Sequence, residues 1–156
     1  MFRTSLSAVL LSAIFIAPAA AVTDTVIFNG NVISTCLITV GTPGVLSTNG
    51  AMNVLSSSEA GGVSGTATVV TTGAGFNLST SAPSSFFLAP AGGDDDVSFA
   101  THYSASGVTS LLDVVGTVTS PLGLGLTNVD VDLSATKSAG VFPAGNYTAE
   151  VTLTCE

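Results

Sequence analysis

The chain has 156 residues, with 2 Lys and Arg against 10 Asp and Glu, a formal charge of −8. Affinity for phosphate backbones comes from clustered Lys and Arg, so this balance argues against a nucleic-acid partner. Charged residues are 8% of the chain and hydrophobic ones 46%, the reverse of a disordered composition, and the length suits one domain.

The first residues read as an address. A single basic residue, Arg3, precedes an apolar run over residues 6–17 and the small-residue end Pro18-Ala19-Ala20-Ala21. That order is a secretory signal peptide. Its apolar run of about a dozen residues falls short of the ~20 that span a bilayer, so no membrane insertion is expected. Cleavage is expected after Ala21, leaving an extension over residues 22–35 and a folded domain over residues 36–156. Export places the two cysteines in an oxidising compartment, where an even number in a small domain reads as a disulfide. Only Cys36 with Cys155 can pair. A metal centre needs more Cys or His than this chain owns, and no cofactor is expected.

The remaining chain alternates with period two, the mark of half-buried strands. In the segment Thr25-Val26-Ile27-Phe28-Asn29-Gly30-Asn31-Val32-Ile33-Ser34-Thr35-Cys36, the residues Val26, Phe28 and Val32 share one face, with a gap at Gly30. The same parity runs on through Cys36, Ile38 and Val40. Weaker strands are expected over residues 63–71, 76–79, 86–88 and 108–118. Clear ones put Val97, Phe99, Thr101 and Tyr103 inward, then Val129, Val131, Leu133 and Ala135, and finally Tyr147, Ala149, Val151, Leu153 and Cys155. Glycine-rich and proline-rich turn clusters separate them. The expected fold class is all-β, a sandwich rather than a membrane barrel, because aromatic girdles are missing and the best strands have polar outer faces.

Candidate chemistry is sparse. His102, the single histidine, lies on the outward face of its strand, and no G-x-S-x-G nucleophile motif accompanies it. No catalytic residue is assigned, and the chain is not expected to be an enzyme. Asp94-Asp95-Asp96 could offer oxygen ligands to Ca²⁺, but three adjacent carboxylates cannot all face one ion, and a solvated loop is expected. Asp130 and Asp132 share one exposed strand face.

The string TVIFNGNVISTC resembles the N-terminal segment of chaperone-usher-type fimbrial major pilins, where an alternating extension with a central Gly precedes the first strand and its Cys. The C-terminal string AGNYTAEVTLTC is similar to the last strand of those subunits and of spore-coat-U-like secreted domains. The resemblance implies an immunoglobulin-like sandwich lacking one strand. Val26, Phe28, Gly30 and Val32 would be donor-strand residues, and Tyr147, Ala149, Val151 and Leu153 would wall the acceptor groove. It further implies a head-to-tail polymer of the chain with itself, a periplasmic chaperone and an outer-membrane usher as partners. It places the chain in the periplasm in transit, then in a cell-surface fibre serving adhesion. Two features differ from the family: its first-strand Cys usually bridges to the end of the next strand, and an aromatic residue usually stands where Cys155 does. The alternative expectation is a monomeric secreted binding or coat domain whose residues 26–32 form its own first strand.

Overall fold

A computed structural model describes residues 21–156. The expected signal segment, apart from Ala21, lies outside the described residues. Among the described residues there is no helix. The strands are β1 (Cys36–Val40), β2 (Ser47–Thr48), β3 (Val54–Ser56), β4 (Gly65–Thr71), β5 (Asn77–Ser81), β6 (Val97–Gly107), β7 (Leu111–Val115), β8 (Ser120–Pro121), β9 (Gly125–Lys137) and β10 (Thr152–Cys155). Chain contacts mark off a short unit ending at Asn31 from a compact unit, Val32–Glu156. Within the short unit, the described residues 21–31 form neither helix nor strand.

The compact unit holds two antiparallel sheets, one of seven strands and one of three in the order β10-β5-β8, an arrangement consistent with a β-sandwich. The spine of the larger sheet is β9. One edge pairs from Thr127 to Lys137 with the whole of β6. Its other edge pairs first with β4, as far as Val131, and then with β3 from Ser134. Asp132 and Leu133 sit at that change of partner, where a ladder would otherwise lapse. There the hydroxyls of Ser57 and Ser64 both donate to Asp132 Oδ1 at 2.6 Å, and the Ser57 N–H donates to the Leu133 carbonyl. A carboxylate thus fills the gap between two partner strands, with charge-assisted hydrogen bonds.

The sheets are tied through polar atoms as well as apolar ones. The Gly116 N–H donates to the Thr101 carbonyl of β6, while its own carbonyl accepts from the Thr80 N–H of β5. A side chain cannot fit there: a Cβ at Gly116 would lie 2.0 Å from the Thr101 hydroxyl. Tyr103 is fully buried, and its hydroxyl lies 2.7 Å from Ser120 Oγ and 2.9 Å from the Val118 carbonyl. Buried tyrosine needs such partners, since an unpaired hydroxyl there is costly.

Inward residues of β6 and β9 fall where the alternation puts them. Thr101, Tyr103, Val129, Leu133 and Ala135 are buried, while Val97, Phe99 and Val131 are half-buried and pack inward. Four expected strands are corrected. Residues 86–88 form no strand, and only Leu88 makes an isolated bridge there, because no ladder continues on either side of it. The segment 25–36 joins a ladder only at Cys36. The stretch 108–118 is a turn followed by β7, because Gly107 takes φ of 114° and breaks the run. At the C-terminus only Thr152–Cys155 pairs as a strand, and the preceding residues alternate without a ladder apart from one bridge, Leu88 to Thr148. The core is likewise in two parts. One cluster gathers Val69, Leu78, Tyr103, Leu122 and Val129, the other Leu55, Phe86, Ala135 and Phe142.

Candidate strand-binding groove

The space between the two clusters is a cavity of about 430 Å³. Its first wall follows from the parity of β1. Cys36 and Ile38 face inward and pack on the first cluster. Val40, next on that face, is 79% exposed because nothing covers it. Past Val40 the chain keeps to the edge of β4 through the bonds of Gly41 and Thr66 and the bridge of Val45 to Val63. Gly44 and Gly65 approach so closely there that a Cβ on Gly44 would meet the Gly65 nitrogen at 3.0 Å.

The second wall is the last segment of the chain. Tyr147, Ala149, Val151 and Leu153 all line the cavity on their shared face. Tyr147 is anchored by its hydroxyl, which donates to the Pro143 carbonyl at 2.7 Å, and by edge contacts with Phe86 and Phe142. Burial of the ring, helped by the Asp94 carboxylate, raises its pKa above the ordinary 10.0. The floor consists of Ala67, Val131 and Leu133 from the inner face of the larger sheet. The walls continue from two edge strands: Val40 ends β1, at the edge of the larger sheet, and residues 147–151 lead into β10, at the edge of the smaller one. An apolar slot bounded by unpaired edges is the shape that accepts an added strand.

One end of the slot is closed covalently. Cys36 and Cys155 form a disulfide with their Cα atoms 6.4 Å apart, so β1 and β10 are joined where the groove begins. The bridge is compatible with an oxidising compartment.

The remaining sequence candidates are placed as follows. Val26, Phe28 and Val32 are 73%, 90% and 91% exposed, and no other atoms crowd Gly30. His102 is more engaged than its outward position suggests, with its Nδ1 2.7 Å from Asp113 Oδ1. Asp113 takes a left-handed φ of 46°, beside a bulge in β6, and its N–H donates to the Ser104 hydroxyl. With Asp132 and three serines these groups line a second cleft of about 230 Å³ on the outer face. Asp94 accepts a hydrogen bond from the Phe86 N–H at 2.8 Å. The carbonyls of Gly92 and Asp95 accept from Lys137, whose ammonium also lies 5.5 Å from the Phe142 ring centre. The acidic loop is therefore organised around a lysine. Among the described residues, no group of His, Cys, Asp and Glu has metal-binding geometry.

The floor residues and Val40 are the part of the site that strand reading passes over. Alternation marks them inward, and only the three-dimensional gap above them shows that inward is not covered. Compared with known proteins, the chain matches no family model, no curated protein and no solved structure.

Proposed function

We propose that the chain is the structural subunit of an extracellular fibre of the fimbrial type, an exported immunoglobulin-like sandwich with one strand missing, which serves surface adhesion. Residues 26–32 of one copy add as a strand in the groove of the next. The observation that carries this reading is the cavity between the β1 edge and residues 147–153, lined mainly by apolar side chains with Thr42, Ser57, Thr66 and Thr148 among them. The same chain supplies a matching occupant. Residues 26–32 and 147–153 are both seven residues long, and Val26, Phe28 and Val32 alternate as a strand's buried face does. Their exposure is itself a cost that docking removes, at roughly 1.5–3 kcal/mol for each large side chain buried. Backbone hydrogen bonds to the open edges then fix the strand in place. Because the donor and the groove are different surfaces, the contact repeats head to tail and does not close on itself.

Sedimentation of chains starting at Val22 tests this. The wild-type chain is expected to form long head-to-tail assemblies, and Phe28→Asp, which puts a charge into an apolar slot, to reduce them to monomers. A wild-type chain that stays monomeric at every concentration supports instead a self-contained secreted binding or coat domain.

A further inference from the structure

The geometry points to the Cys36–Cys155 bridge as a stop that fixes how far, and in which direction, a strand enters the groove; this rests on the donor-strand reading above. A strand lying between two others needs about 4.8 Å on each side, so its neighbours must stand roughly 9.6 Å apart. At the bridge the Cα atoms of β1 and β10 are 6.4 Å apart. No third strand fits there. Next to the bridge Ile38 packs on the first core cluster and does not line the cavity, whereas Val40, two residues on, lines it and is exposed; the opposite wall begins at Leu153, so the slot lies away from the disulfide and runs toward Leu46 and Tyr147.

The closed end has two consequences. A donor segment remains joined through Cys36 to its own domain, so its C-terminal side must leave by the open end, near Tyr147 and Leu46. Its N-terminal side then points at the bridge. With residues 26–32 filling the slot alongside residues 147–153, the four residues before Val26 meet the pinch and make no ladder. The bridge also denies the donor a slide of two residues, the smallest shift that keeps Val26, Phe28 and Val32 facing inward. An alternating strand in an open-ended slot has no such protection.

The test uses the chain from Val22 carrying Phe28→Asp, which keeps its groove and lacks a competent donor. The probes are a synthetic peptide of residues 22–34 with a photoreactive benzophenone in place of the Phe28 ring, and unlabelled peptides of residues 22–34 and 26–34. With the bridge intact, the crosslink is expected at one position of the groove, and the two unlabelled peptides are expected to bind within twofold of each other. In Cys36→Ala/Cys155→Ala, the crosslink is expected to spread by two residues toward Ile38 and Leu153. A single unchanged crosslink position in the folded double variant overturns the proposal. So does a tenfold or greater loss on removing residues 22–25 with the bridge intact, a comparison that needs no folded double variant. If the bridged chain takes up neither peptide, the donor-strand reading falls and this inference with it.

Discussion

Lys137 shows how a residue's chemistry is decided by its surroundings. It is the one Lys or Arg among the described residues and is 6% exposed, yet no carboxylate pairs with it. Its ammonium is held by the carbonyls of Gly92 and Asp95 and by the face of Phe142. Charged groups are buried only when such partners replace water. Lys137→Met keeps the length of the side chain and leaves those carbonyls without their donor, so it is expected to lower stability by about 1–3 kcal/mol in urea unfolding. From the sequence the Asp94-Asp95-Asp96 loop reads as a solvated run of charge. Its carbonyls, which composition does not reveal, are what organise it. Tyr147 carries a pH dependence. Because its hydroxyl titrates above 10.0 in the folded chain, the fold keeps that proton where the unfolded chain gives it up. This contribution is complete below pH 10.0 and is lost as pH rises beyond it. In Tyr147→Phe, the fall in unfolding midpoint between neutral pH and about pH 11 is expected to be shallower than in wild type.

At the scale of elements, alternation proved a reliable guide to which side chains face inward and a poor one to pairing. Along β6 and β9 the two coincide, because both strands have neighbours that cover their inner face. Over residues 147–151 they part: Tyr147, Ala149 and Val151 alternate as strand residues do, yet no ladder forms there apart from the Thr148 bridge. Pairing needs a partner edge, and a local pattern carries no information about that. The short β3 went unread for the opposite reason, since its three residues pair with β9 only after β9 changes partner. His102 and Asp113 also meet through the β6–β7 bulge, which no spacing in the chain announces. The disulfide was legible by counting, because two cysteines allow one pairing. It spans 119 positions of sequence. Closing so long a loop restricts the unfolded chain by about 4–5 kcal/mol in the chain-entropy description. Cys36→Ala/Cys155→Ala is expected to lose up to that amount, measured as a lower urea midpoint against the oxidised wild type.

On the scale of the whole molecule, the composition and the groove bear on one question. Edge strands are commonly guarded by Lys, Pro or inward charge. The walls of the groove carry neither lysine nor inward carboxylate, and Pro43 alone interrupts them. The core, divided into two clusters with a cavity of about 430 Å³ between, lacks the continuity expected of a sandwich that is finished by itself. Both features suit a subunit completed by a strand from outside. The most direct measurement mixes two defective chains. One carries Phe28→Asp and keeps only its groove; the other carries Val151→Asp and keeps only its donor. Each alone is expected to sediment as a monomer, and an equimolar mixture as a one-to-one dimer that grows no further, because one sound donor meets one sound groove and the next contact is missing. A mixture that stays monomeric, or that forms assemblies as long as those of the wild-type chain, would contradict strand donation from one subunit to the next.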